Sequence, residues 1–324
     1  MFDSVKLKEK EWPVSYVITP KKITDSLVTF TDLTSRNIIV FNKRGDHVKT
    51  VNNDLIKNGQ LPGINFANYD IRNDTVYILY NYPPRIIKTD LQGYIHDTKV
   101  FNLGNKDMKA VFKGFFEYDP VRKIYLTSFW EGTERSRPDR YRHSKLLYIF
   151  DEAGHLIDTL GSHPPLYYSG DYVRSGVDKI VYSYPHVYHL NAVGPLIITI
   201  YNIVSKETEQ IEVFSKFHDA KIYYQDHPQE MVPDHVLNFA VKDDQYYIFY
   251  VYYSDNRFPD GMDTDRINLI YVKGKTKLFD IEVIPQGKFN HSQHMLTHNV
   301  SDTIEFIIQP PDEEFTMFLK GVIQ

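Results

Sequence analysis

The chain has 324 residues, enough for two average domains or one large closed β architecture, and its 42% hydrophobic and 24% charged residues are ordinary for a globular protein. Its net charge of −5 is carried by interspersed charges of both signs, and without a basic stripe there is no footprint for nucleic acid. Cys is absent, which removes disulfides, thiolate metal sites and a cysteine nucleophile, and no run approaches the roughly 18 apolar residues of a membrane helix.

The 25 Tyr and 20 Phe, beside only 16 Gly, point to strands, where aromatic side chains fit the half-buried pleated surface. In chain order, "SVKLKEK" (4–10) alternates apolar and charged residues, and "SYVIT" (15–19) and a segment beginning near Leu27 read as strands. "IIVFNKRGDHVKTV" (38–51) reads as a hairpin turning at Gly45. "FANYDI" (66–71), "TVYILY" (75–80) and the hairpin "PRIIKTDLQGYIHDTKV" (84–100) repeat that order. So do "FKGFFEY" (112–118), "KIYLTSF" (123–129) and "SKLLYIFDEAGHLIDTL" (144–160).

A fourth copy, "DYVRS" (171–175), "KIVYSY" (179–184) and "LIITIYNIVSKETEQIEV" (196–213), has lost the turn glycine. The stretch 214–231 is the one place where a short helix is expected. "VLNFAV" (236–241), "YYIFYVYY" (246–253) and "INLIYVKGKTKLFDIEV" (267–283) form a fifth copy. "SQHMLT" (292–297), "TIEFII" (303–308) and "FTMFLKGVIQ" (315–324) form a sixth that stops after its third strand.

Six copies of four strands, about 54 residues each, approach the period of a propeller blade. The expected fold is therefore all-β: a six-bladed β-propeller with four-stranded antiparallel blades over 11–52, 64–103, 111–161, 170–214, 235–284 and 291–324. Residues 3–10 would complete the last blade, close the ring and pair its edge. All of 1–324 is then a single propeller domain. A β-sandwich or two smaller β domains is the competing reading.

The recurring strand, variable loop and "hhhhD-x-x-G-x-h" hairpin resembles the six-bladed propellers of the NHL and TolB-like group. The Tyr-rich, Cys-free texture is similar to uncharacterised propeller lipoproteins of gut anaerobic bacteria. This resemblance covers nearly the whole chain. It implies a leader and a lipid-anchor cysteine upstream of residue 1, and hence the cell envelope or surface. The N-terminus itself, "MFDSVKLKEKEWP", lacks a signal-peptide apolar region, which leaves a cytoplasmic location as the alternative. The resemblance carries no catalytic residues, and the fourth copy departs from it in its missing glycine and its long insertion.

Functional expectations fall on the long connections, which in short-turned folds more often bind than not. These are "NYPPR" (81–85), "WEGTERSRPDRYRH" (130–143), "YPHVYHLN" (184–191) and "SDNRFPDGMDTDR" (254–266). The candidate ligand-binding residues are Tyr82, Arg85, Trp130, Tyr184, His186, Tyr188, Arg257 and Phe258. The aromatics offer flat faces to a sugar or peptide, and the arginines pair with carboxylate or phosphate. Packing of these aromatics onto the propeller and solvation of the charges accounts for the same residues.

His291, His294 and His298, and the pair His186 and His189, have spacings that suit strands badly as metal sites. Asn68, Glu117, Asn238 and His294 form a second set, which would suit a hard cation if they converged on a central channel. Residues 272–277 contain Gly-Lys-Thr, but Leu269 stands where a phosphate-binding loop needs Gly. The expected function is a binding module, exported or surface-attached, without cofactor, bound metal or catalytic residues. Its partner is a glycan, peptide or protein. A metal-dependent hydrolase or lyase working in the channel is the alternative.

Overall fold

The computed structural model describes residues 2–6, 18–23, 26–32, 37–51, 66–81, 84–102, 111–130, 144–163, 179–191, 196–215, 235–252, 266–284, 296–300, 303–308 and 317–322. All regular structure there is β. The proposed helix at 214–231 lies outside the described residues except for Phe214 and Ser215, which are not helical.

Five four-stranded antiparallel sheets are each built from consecutive strands in sequence order. The first holds β2 (Ile18–Ile23), β3 (Leu27–Asp32), β4 (Ile38–Asn42) and β5 (His47–Val51). The second holds β6 (Phe66–Arg72), β7 (Thr75–Asn81), β8 (Pro84–Asp90) and β9 (Ile95–Val100). The third holds β10 (Val111–Asp119), β11 (Ile124–Trp130), β12 (Lys145–Asp151) and β13 (Leu156–Ser162). The fourth holds β14 (Lys179–Ser183), β15 (His186–Asn191), β16 (Leu196–Asn202) and β17 (Thr208–Val213). The fifth holds β18 (His235–Lys242), β19 (Gln245–Tyr252), β20 (Arg266–Lys273) and β21 (Thr276–Ile284).

These are propeller blades, and five of contiguous chain is one fewer than the six expected. The remaining four-stranded sheet is composite, in the order β1-β24-β23-β22. Here β22 (Leu296–Val300), β23 (Thr303–Ile308) and β24 (Met317–Val322) are joined by β1 (Phe2–Lys6), with Phe2 opposite Gly321 and Lys6 opposite Met317.

The chain divides into two compact units, residues 50–176 and residues 1–49 with 177–324. In the first, β6 meets β10; in the second, β2 meets β22, β22 meets β18, and β18 meets β14. In each unit it is therefore the first strands of the sheets that neighbour one another, as the inner strands of propeller blades do. The core of unit 50–176 includes Tyr77, Leu79, Ile86, Phe101, Phe116, Tyr118, Tyr125, Tyr148 and Phe150, most of them aromatic. That of the other unit is mixed, with Tyr188, Leu190, Ile198, Val236, Phe239, Tyr246, Ile248, Tyr250 and Ile270 among its members.

The hairpin marker has a chemical explanation. At Asn42, Asp90 and Asp151 the backbone carbonyl accepts the N–H of the Gly three residues on, at 3.0, 3.1 and 3.0 Å. The side-chain oxygen also accepts backbone N–H groups inside the turn: Arg44 and Asp46 for Asn42, Gln92 and Tyr94 for Asp90, and His155 for Asp151. Gly45, Gly93 and Gly154 take φ of 82°, 89° and 90°, a region other L-residues avoid.

The fourth blade keeps the chemistry without the glycine. Asn202 accepts from Val204 and Ser205, and the turn is one residue longer, with Lys206 taking the left-handed conformation at φ 65°.

Strand assignment in that blade differs from expectation. Residues 179–183 are its first strand and not its second, so the expected first strand at 171–175 lies outside the described residues. Pro185 has no N–H to give a ladder and breaks the run 179–191 into β14 and β15. The first strands at the two chain ends are also displaced from 15–19 and 292–297, to Ile18–Ile23 and Leu296–Val300.

Candidate functional site

The two ends of each blade are unlike. First-to-second and third-to-fourth connections are tight: 73–74, 120–123, 184–185 and 243–244, then 43–46, 91–94, 152–155, 203–207 and 274–275. Antiparallel order places all of these at one end of their sheets. The second-to-third connections and those between blades leave from the other end. They include the long segments 7–17, 52–65, 101–110, 131–144, 163–178, 214–234, 253–265, 285–295 and 309–316. Two short ones, 82–83 and 192–195, leave from that end as well.

The sequence candidates divide across these two ends. Tyr82, Arg257 and Phe258 belong to long-connection-end segments outside the described residues. Trp130 is the last residue of β11, paired with Val111, where the 131–144 connection departs.

Tyr184 and His186 are at the tight end, in and beside the β14–β15 turn. Tyr184 is 42% exposed there, and the His186 ring is 3.4 Å from the Asn202 amide. Tyr188 belongs to the core, only 6% exposed and 5.9 Å centroid to centroid from Tyr246, so it offers no surface to a ligand. The segment 184–191 is thus a turn and a strand, not a loop beside the other three.

Arg85 is at the long-connection end, second residue of β8. It pairs with Tyr80 on one side and Val100 on the other. The neighbouring Pro84 carbonyl accepts the Phe101 N–H at 2.9 Å, fixing the start of the strand. The Arg85 guanidinium carbon stands 5.9 Å from the centre of the Tyr80 ring, and Tyr80 is fully buried. Arg85 Nε is buried and has no hydrogen-bond partner among the described residues.

Tyr80 was not singled out by sequence reasoning. The signal was present: Tyr80 and Arg85 flank "NYPP" symmetrically, as cross-strand partners around a two-residue connection must.

The polar residues expected to converge on a channel have local partners. Asn68 and Asn238 follow bulges at equivalent places on β6 and β18, and each side-chain oxygen accepts the next residue's N–H, at 2.8 and 2.7 Å. Glu117 pairs with Arg72 at 3.5 Å. Of the histidines, His298 is on β22 opposite Glu305, while His291 and His294 lie outside the described residues. His186 and His189 are three apart on β15 and face opposite sides, and His189 is 3% exposed. Among the described residues no three His, Asp or Glu side chains gather as a cation site would require.

Two seams carry the strongest electrostatics. Between the second and third blades Asp70, fully buried, accepts from the Ile71 N–H, the Arg72 Nε and the Tyr118 N–H of the neighbouring blade, at 2.8, 2.9 and 3.0 Å. Farther out Glu152 accepts from Tyr118 at 3.0 Å and Lys88 at 3.2 Å. The Tyr118 hydrogen bond and the two lysines, Lys88 and Lys123, hold the Glu152 carboxyl below its usual range against partial burial. Burial, then Glu152, pushes the Tyr118 hydroxyl up, so it remains a donor. Lys88 stands 5.6 Å from the Tyr77 and Tyr118 ring centres.

Between the fourth and fifth blades Ser215 donates to Asp280 at 2.6 Å, and Tyr250 donates to the other Asp280 oxygen at 2.9 Å. The Asp70, Glu152 and Asp280 carboxylates are each satisfied by these donors, whereas the buried Tyr125 hydroxyl in the first seam has no hydrogen-bond partner among the described residues.

No family model matches the chain, and no curated protein matches it. Solved structures do. A member of the DUF4221 family from Bacteroides vulgatus is 11% identical, with TM-score 0.67, covering 100% of this chain and 96% of its own. A Bacteroides fragilis protein called exported by name alone is 11% identical, with TM-score 0.60, covering 100% and 95%. A luciferin-regenerating enzyme is 9% identical, with TM-score 0.53, covering 99% and 96%. At these identities the likeness shows the fold, a β-propeller, and that fold serves enzymes and proteins of other kinds alike.

Proposed function

We propose that this chain is a non-enzymatic binding propeller, exported or attached to the bacterial surface, that takes a glycan, peptide or protein ligand at the long-connection end of its blades. The observation that carries this reading is the asymmetry of the connections: the long segments leave from one end of their blades, while the described turns at the other end are tight, and those at Asn42, Asp90, Asp151 and Asn202 are internally bonded. Long connections on a rigid scaffold are where binding residues concentrate. The segments 130–143 and 254–266 contribute Trp130, Phe258 and Arg257 to this reading, and the connection after β7 with the start of β8 contributes Tyr82 and Arg85. Tyr184 and His186 belong to the opposite end and are left out of this site.

The composite sheet of β1 with β22–β24 serves in this reading as a sixth blade of the NHL/TolB-like kind. An exported location is supported by the resemblance to propeller lipoproteins and by the Bacteroides fragilis neighbour's name.

The test is a glycan array and a pull-down with the double variant Trp130→Ala/Arg257→Ala. It should lose at least tenfold in signal while its melting temperature stays within a few degrees of the parent. An undiminished signal contradicts this assignment of the site.

A further inference from the structure

We infer that Arg85 is the anchor for a carboxylate on the ligand of this propeller, an inference that rests on the long-connection end being the binding end. The other arginines whose side chains are described each have a carboxylate at hand: Arg44 with Asp46 at 3.6 Å, Arg72 with Asp70 at 2.9 Å, Arg122 with Asp119 at 3.3 Å. Among the described residues no carboxylate forms an ion pair with Arg85, and its buried Nε donates to nothing.

A buried donor without an acceptor costs on the order of 1–3 kcal/mol, and more when the group is charged. Such a cost persists where a ligand later relieves it.

The seat is also built to hold the group still. Arg85 is on a strand paired on both sides, its neighbour's carbonyl is bonded to Phe101, and its guanidinium rests over the buried face of Tyr80. An aromatic face holds the guanidinium plane without using any of its N–H donors. Nε itself is buried, so the terminal Nη donors, for which no described residue is a partner, are the ones a ligand can reach, and little side-chain entropy is left to lose on binding.

The ligand chemistry follows from the donor set. A guanidinium presents two parallel N–H groups, which match the two oxygens of a planar carboxylate. One guanidinium also balances one negative charge, whereas phosphate sites ordinarily gather several cations. A sugar acid and a peptide terminus or acidic side chain share that carboxylate chemistry.

The experiment follows the Arg85 Nε–Hε resonance by NMR in the full chain, identified by its absence from R85K and R85Q. The probes are sodium glucuronate, N-acetyl-glycyl-glycine, glucose and inorganic phosphate. Glucuronate or the dipeptide should shift the resonance saturably, the two arms telling sugar acid from peptide, while glucose leaves it in place. R85Q should weaken that binding at least tenfold, R85K less, and neither should melt below the parent.

A resonance unmoved by both carboxylates, or moved at lower concentration by phosphate, overturns the inference. So does a fall in the R85Q melting temperature with binding intact, which would make Arg85 structural. The wider reading fails separately: if Trp130→Ala/Arg257→Ala keeps its array signal while Arg85 titrates with a carboxylate, the carboxylate anchor stands and the long-loop site falls.

Discussion

The tight end and the long-connection end of the same blades are made on different principles. At the tight end, Asn42, Asp90, Asp151 and Asn202 each bind their own turn through carbonyl and side chain, and the glycines or Lys206 supply the left-handed residue. At the other end the chain runs on for many residues between strands, and Arg85 is held in place with its Nε unsatisfied. The contrast sets described turns that bind their own backbone against an end where the Arg85 Nε has no partner among the described residues.

That contrast can be broken most forcefully at Asp70, in the seam of unit 50–176. Asp70→Ala leaves Arg72 with Glu117 alone and strands the Tyr118 N–H, and by analogy with broken buried pairs should cost about 3 kcal/mol. Asp70→Asn, which keeps one acceptor, should cost less; chemical denaturation measures both. Loss of ligand signal in the remaining folded protein is not expected.

Next in size is Gly154→Ala. A Cβ there would meet the Val100 carbonyl oxygen at 2.6 Å, against backbone that cannot swing away, at φ +90°. A loss of about 2 kcal/mol is expected. Gly274→Ala makes the internal control, because its Cβ meets nothing within 4 Å at φ +56°. Only the left-handed penalty of about 1 kcal/mol remains there. Equal losses at the two glycines would show that the Gly154 contact is not close-packed.

The smallest effect is electrostatic. The folded Glu152 carboxyl is held below its ordinary value, so its contribution is present above the unfolded-state pKa of about 4.3 and is lost as pH falls through the lower folded value. With its side chain 38% exposed, solvent screening keeps that contribution well under 1 kcal/mol. Thermal melts of parent and Glu152→Gln should therefore converge below about pH 4 and differ by only a degree or two at neutral pH.

Much of the architecture was legible in the sequence because the turn chemistry is local. An Asp or Asn, a Gly three residues on and flanking apolar runs favour a hairpin, and this marks three of the blades. The fourth blade was displaced by one strand because 179–191 reads as a continuous β run unless Pro185 is given its weight as a missing ladder donor. Tyr188 was misplaced for the same reason: counted into a loop, it is in fact a buried strand residue.

The candidate site was less legible. Arg85 was visible as a charge near a turn, but its lack of a partner depends on strands that sequence order alone does not bring together. Asp70 gave no signal, since a carboxylate between Tyr and Ile on a strand is as often solvent-facing as buried.

The most direct measurement sets one end against the other on the same array. The long-connection variant Trp130→Ala/Arg257→Ala is compared with Tyr94→Ser/Val121→Ser, which removes two exposed apolar side chains, 73% and 78% accessible, from tight turns. Loss of at least tenfold in signal for the first and an unchanged signal for the second is the predicted result. An unchanged first variant with a silent second would put the ligand at the tight-turn end and contradict the account.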